Sequence, residues 1–299
     1  MSFDLREVLR RAWQITWKHK SLWVFGALPI LPVLLYLPLI FYFFLSGDFA
    51  ERIPALLSSP ASIALVLILI FLTIGVSLLL QVFGRSALTF GIIQIEAGTD
   101  RIAFNEISRG GWLFFWRTLG VTLLASLMMM AALTVLSACL SLAGVVTLGF
   151  GALIGNMVSI PVTLLAYAVL EQSQSAAVAD AMNPTRAIEH AWELVTENFN
   201  LFAPLTAVLY AVLSIAGSVA LVPVMAPLLL VVLTRFSTEF LNPSLLWIGI
   251  VCFIVFLPVY FVYQAVSTLY VRVVHVIAYL RLTRSSKLPP LPANGEATS

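Results

Sequence analysis

The apolar positions of this chain gather into uncharged runs of bilayer length. Between them lie short stretches where apolar and charged residues alternate at helical spacing. Residues 22–45 and 61–84 are two such runs, 118–170 is one of double length, and 201–234 and 245–271 are two more. About 20 apolar residues carry a helix across the hydrocarbon. Each single run therefore predicts one span, and the double run predicts a tight hairpin turning near Gly144 to Gly149, where glycine tolerates a sharp reversal. Six spans follow. Pro29, Pro32 and Pro38 bend the first, and Pro223 and Pro227 end or kink the fifth. The helical pattern of the second span continues through Arg85 to about Gly98, and that of the sixth through Arg272, His275, Arg281 and Arg284. Residues 171–200 form the longest polar stretch and read as a loop that ends in a helix, with Asn183 as its cap and Pro184 in its first turn.

The intervening stretches share a signature. Arg10-Arg11-Ala12-Trp13-Gln14-Ile15-Thr16-Trp17-Lys18, Arg109-Gly110-Gly111-Trp112-Leu113-Phe114-Phe115-Trp116-Arg117 and Glu189-His190-Ala191-Trp192-Glu193-Leu194-Val195-Thr196-Glu197 each place a small residue before a Trp on an amphipathic helix. A Trp at the border of charged and apolar segments suits the membrane interface, where its ring meets both water and hydrocarbon. Trp13, Trp17, Trp112, Trp116 and Trp192 are thus candidate interfacial anchors. The expectation is an all-α integral membrane fold in three pseudo-repeats, 3–98, 101–171 and 183–284, each an interfacial helix followed by a helical hairpin. Residues 285–299 are expected to be a disordered tail.

Composition agrees with that class. Of 299 residues, 61% are hydrophobic and 10% charged, against about 45–50% and about 25% in soluble domains. A net charge of +2 gives no reason to invoke nucleic acid. The first apolar run is too long for the core of a cleavable signal peptide. Fourteen of the sixteen basic residues fall on the side of the N-terminus, and only Arg52 and Arg235 on the other. The positive-inside rule then places both termini in the cytoplasm. Cys139 and Cys252 lie in separate apolar runs and read as small core-facing residues rather than a disulfide or metal pair.

No HExxH, phosphate-binding glycine loop, nucleophile elbow or paired metal ligands occur, so no catalytic residue, cofactor or metal is assigned. The remaining chemistry is polar groups near the spans. Arg85, Glu171 and Arg272 each lie at the cytoplasmic end of an even-numbered span. They either snorkel to headgroups or meet as a polar cluster gating a cytoplasm-facing cavity. Gln81, Asn156 and Gln264 lie within spans and suit interhelical hydrogen bonds or a substrate lining. His190 and His275 read as surface histidines.

Two stretches carry a resemblance: the opening Leu9-Arg10-Arg11-Ala12-Trp13, and Pro184-Thr185-Arg186-Ala187-Ile188-Glu189-His190-Ala191-Trp192-Glu193-Leu194-Val195-Thr196-Glu197-Asn198-Phe199. The pattern resembles a broad group of bacterial multipass membrane proteins, one branch of which is the membrane domain of glycerophosphoryl diester phosphodiesterases. In that branch the catalytic domain is a separate soluble barrel, so the activity is not carried over. The resemblance implies a bacterial inner-membrane protein. The functional expectation is a non-enzymatic module organising membrane lipids or a protein partner. A transporter of a lipid or small amphiphile is the alternative, and an intramembrane enzyme ranks behind it.

Overall fold

The computed structural model describes residues 5–32, 59–99, 102–146, 150–236 and 243–283. All regular structure among them is helical. In chain order the helices are α1 (Leu5–Lys18), α2 (Ser21–Ala27, followed by a 3-10 turn Leu28–Ile30), α3 (Pro60–Glu96), α4 (Phe104–Val146), α5 (Phe150–Ala179), α6 (Pro184–Glu197), α7 (Phe199–Phe236) and α8 (Pro243–Thr283). Four of them, α3, α4, α7 and α8, are long and apolar enough to cross a membrane.

These long helices outrun a bilayer. The 43 residues of α4 span about 64 Å, twice the ~30 Å hydrocarbon thickness. Burial shows how the excess is used. Phe104 to Thr122 alternates buried and exposed positions, with Ile107, Phe114, Phe115 and Val121 inside, whereas no residue from Leu123 to Ser141 is buried. Along α3 no residue from Pro60 to Gln81 is buried, and Val82, Ala87, Leu88, Ile92 and Ile95 then are. Each helix therefore has an apolar exposed length and a packed length.

The chain divides into two compact units. Among the described residues, the larger is drawn from 1–22, 85–211 and 269–299. Its core is the packed ends of α3, α4, α5, α7 and α8, closed by α1 and α6. On α1, Val8, Ala12, Ile15 and Thr16 form the inward stripe. Two ion pairs hold that helix at its flanks, Arg11 to Glu96 at 2.8 Å and Arg281 to Glu7 at 2.9 Å. Helix α6 opens as the sequence indicates: Asn183 is extended, Pro184 occupies the first turn, and the Ala187 amide donates to the Asn183 carbonyl at 2.9 Å. The Asn183 side chain, however, makes no capping bond. Helices α3 and α4 approach closely at Gly111. A Cβ there would lie 2.6 Å from the Ala87 Cβ, and the Gly111 carbonyl accepts from Ser86 Oγ at 2.8 Å.

The second unit is drawn, among the described residues, from 23–84 and 212–268. Here α2 packs against α8 with Gly26 facing the Ala265 carbonyl, a contact that leaves no space for a side chain. The Tyr263 hydroxyl donates to the Leu213 carbonyl.

Several expectations are corrected. The second Trp segment is no separate interfacial helix: it is the first third of α4, because nothing between Arg109 and Thr118 breaks the helix. Residues 171–179 are not loop but the buried end of α5. Pro223 and Pro227 do not end α7, which runs on to Phe236. Cys139 is exposed rather than core-facing, because it falls on the exposed length of α4. The turn expected near 144–149 falls on residues 147–149, outside the described residues. So do most of the first apolar run, beyond residue 32, and the tail.

Candidate functional site

Helix α5 carries the centre of the larger unit. Every residue from Ala168 to Ala179 is buried, including the polar run Glu171-Gln172-Ser173-Gln174-Ser175. A polar run survives there only if each group finds a partner, since an unmatched buried polar group is costly. Serines can turn back on their own helix, and they do: Ser173 Oγ donates to the Val169 carbonyl and Ser175 Oγ to the Glu171 carbonyl. Glutamate and glutamines must reach other helices.

The structure brings Arg85, Glu171 and Arg272 together. Arg272 Nη1 donates to Glu171 Oε2 at 2.6 Å, and Arg85 Nη1 lies 3.4 Å from Glu171 Oε1. Arg272 Nε also donates to Thr89 Oγ1 at 2.8 Å, and that hydroxyl donates to the Arg85 carbonyl. Gln174 accepts from Arg85 at 3.4 Å and donates to Thr122 Oγ1 at 3.0 Å. The result ties α3, α4, α5 and α8 into one network. Snorkelling is thereby excluded for Arg272, only 2% exposed, as solvent access is for Glu171 at 3%. Two guanidiniums face one carboxylate, so the cluster holds one excess positive charge.

A second polar contact adjoins it. The Gln172 amide lies 3.2 Å from His275 Nδ1, a side-chain hydrogen bond that joins α5 to α8. His275 is fully buried, not a surface histidine as its charged neighbours in sequence suggest. Among the described residues, Arg272 Nη2, His275 Nε2 and Gln172 Oε1 are buried without a hydrogen-bond partner. His190 instead packs edge-on against Tyr279, whose hydroxyl donates to Asp180.

The amides expected within spans behave differently. Gln264 Nε2 donates to Tyr260 Oη at 2.7 Å within α8, an intrahelical rather than interhelical bond. Gln81 is half-buried on α3, and Asn156 lies in the opening turns of α5.

The five tryptophans face outward. Trp13, Trp17, Trp112, Trp116 and Trp192 are 44–70% exposed. The small residues that precede three of them, Ala12, Gly111 and Ala191, are buried. Successive residues on a helix point about 100° apart. A small residue at the contact lets the helix dock closely and turns the next ring outward. Trp112 stacks on Phe115 with ring centroids 5.3 Å apart, and Trp13 meets Tyr270 edge-on at 6.1 Å.

Comparison with protein-family models, with curated proteins and with solved structures finds no match to this chain. Function must therefore be argued from these side chains.

Two hollows open on the larger unit. One is a groove of about 430 Å³ between the end of α1 and the end of α3. The other is an apolar cavity of about 280 Å³ framed by Leu164, Val195, Phe202 and Pro204. Neither is lined by the ion cluster, so the expected cytoplasm-facing cavity gated by it has no counterpart in these two hollows.

Sequence reasoning missed Gln172, Gln174, Thr89 and Thr122 as members of the network. The signal was present: from Phe150 to Ala179 only Pro161 and the early glycines interrupt helix formation, and nothing stops the helix at Glu171.

Proposed function

We propose that the chain is a six-span protein of the bacterial inner membrane with both termini cytoplasmic. In this reading it is a non-enzymatic module that organises lipids through its headgroup-level helices. The carrying observation is the outward set of tryptophans on α1, α4 and α6, each set beside a close-packed inner face. Exposed indoles beside charged side chains are poor surfaces for water and good ones for headgroups. Three segments of the same small-Trp pattern, each leading to an apolar length, support the three-repeat reading. The sealed ion cluster fits a structural rather than catalytic role, because the Glu171 carboxylate is engaged by both guanidiniums and closed off from solvent.

Tryptophan fluorescence in bilayers carrying lipids brominated at graded depths tests this. Single-Trp variants retaining Trp13, Trp112 or Trp192 should be quenched best by bromines nearest the headgroups. Maximal quenching by mid-chain bromines at any of the three would sink the interfacial assignment. A reporter fused after Ser299 that is active only in the periplasm would overturn the topology.

A further inference from the structure

We propose that the open edge of the ion cluster, Arg85 beside the hydroxyls of Tyr210 and Tyr167, holds the phosphate of an anionic membrane lipid. This rests on the membrane reading above and assigns it a site. The cluster is closed at Glu171 and Arg272 but not at Arg85, whose side chain is 17% exposed. Tyr167 on α5 and Tyr210 on α7 are half-buried, with ring centroids 5.2 Å apart. Tyr210 stands within electrostatic range of Arg85, Glu171 and Arg272.

The cluster is short of both negative charge and acceptors. Two guanidiniums meet the one carboxylate of Glu171. Among the described residues, the side-chain contacts of Arg85, to Glu171 and Gln174, run through Nη1 alone, each at 3.4 Å. Its Nε and Nη2 donors remain unspent. Arg272 Nη2 is buried without a partner. Neither tyrosine hydroxyl makes a hydrogen bond among the described residues. Donors left without an acceptor in so enclosed a place are costly, and an oxyanion would relieve them. A phosphodiester brings a single negative charge, equal to the excess of the cluster. Its acceptor oxygens match the planar fork of a guanidinium, with room for a tyrosine hydroxyl to donate beside it.

Position along the helices selects the source of the phosphate. On α3 the first buried residue is Val82, within one turn of Arg85. On α5 the unbroken buried run starts at Ala168, next to Tyr167. On α7 Leu209, just before Tyr210, is the last buried residue until Val224. All three polar tips thus stand where a packed helix length gives way to an exposed apolar one. On the membrane reading this is the border of hydrocarbon and headgroups. Tyrosine is favoured at that border, and lipid phosphate is at hand there.

The test uses the full chain in nanodiscs of phosphatidylcholine with increasing phosphatidylglycerol, and native mass spectrometry to count retained lipids. Wild type should retain phosphatidylglycerol selectively. Arg85→Gln leaves the neutral pair of Glu171 and Arg272 in place and should weaken that retention about tenfold, the effect of one charge-assisted contact. Tyr210→Phe keeps the ring and removes only the hydroxyl. It should weaken retention about fivefold and leave the dodecyl sulfate unfolding midpoint unchanged, which a purely structural tyrosine would not do. The control Arg186→Gln, an exposed cation on α6, should change retention less than twofold. Equal losses from Arg85→Gln and Arg186→Gln would mean diffuse surface attraction and overturn the site. So would full retention by Tyr210→Phe, which decides the question even if Arg85→Gln fails to fold. Absence of any preference over phosphatidylcholine in wild type would overturn it as well. Glycerol phosphate added to the protein in dodecyl maltoside micelles should not bind; binding that Arg85→Gln abolishes would overturn the lipid assignment in favour of a soluble phosphate. Brominated-lipid quenching in the same discs separates the failures. Shallow tryptophans without lipid selectivity remove the Arg85 site alone, and deep tryptophans remove the membrane reading with it.

Discussion

Glu171→Gln keeps the shape of the side chain and removes its charge, and its cost can be worked from what surrounds it. Arg272 donates to this carboxylate at 2.6 Å and is 2% exposed, so its guanidinium has no water to turn to. Removing one partner of such a buried pair costs about 3–5 kcal/mol, chiefly because the remaining charge stays desolvated. Arg85 adds less: it lies 3.4 Å away and its side chain is 17% exposed, so it can rehydrate by a small movement. The single variant should therefore lose about 3–5 kcal/mol. Glu171→Gln combined with Arg272→Met removes both ends of the pair and fills most of the volume. Replacing a buried pair by apolar groups is often neutral or favourable, so the double variant should return to within about 2 kcal/mol of wild type. Unfolding in mixed micelles by dodecyl sulfate titration, followed by circular dichroism, gives all the free energies of the cycle. A Glu171→Gln loss below about 1 kcal/mol, or a double variant no better than the single, would refute the view that the carboxylate is there to neutralise Arg272.

Other perturbations read other contacts by the same titration. Gly111→Ala should destabilise by about 1–3 kcal/mol, since its Cβ would lie 2.6 Å from Ala87 and push α4 off α3. Gly75→Ala, with nothing within 4 Å, should be neutral or stabilising, and the same sign at both sites would contradict the close approach. Arg281 holds the Glu7 carboxyl below its usual range through a hydrogen bond and then its charge. A lowered carboxyl contributes stability that is present above its unfolded-state value and is lost as pH falls through the folded one. Glu7→Gln should therefore flatten the acid side of the stability profile, and an unaltered profile would dismiss the pair as a contributor.

The class of fold was legible because a bilayer leaves a coarse mark, the uncharged run of about 20 residues. Helix ends were less legible. Trp112 and Trp116 read as a separate surface helix because their charged neighbours mimic one, yet the same helix simply continues into the apolar length. Polarity misled again at Glu171 to Ser175. Polar residues usually mark solvent, but here they mark the packed centre, because three other helices, α3, α4 and α8, supply partners that lie about 50 to 100 residues away in sequence. The ion cluster was named from charge and position, three charged residues at the expected cytoplasmic ends of even-numbered spans. What sequence lacks is direction: Arg272 and Arg281 are both basic residues near the end of α8, and only the first is turned inward.

The division of each long helix into two lengths yields the last prediction. Trp116 and Val135 belong to the same helix, and their exposures are nearly equal, 70% and 65%. Trp116 meets the Phe115 ring edge-on at 5.3 Å, so by protein contacts alone lysine would cost no less at Trp116 than at Val135. Their surroundings differ on the present reading: Trp116 stands beside Arg117 at headgroup level, and Val135 lies about 28 Å further along the helix, inside the hydrocarbon. A lysine near the middle of a span costs about 2.5–3.5 kcal/mol on insertion scales, whereas one near the interface costs little because its stem can reach water. Val135→Lys should consequently reduce membrane-inserted protein, measured by expression of a terminal fusion and by its retention in the membrane after carbonate washing. Trp116→Lys should leave insertion intact and alter only lipid contact. Because exposure is matched, the pair isolates the medium from the fold. Equal tolerance would mean that both positions face the same medium, and the assignment of the exposed length of α4 to the bilayer would have to be abandoned.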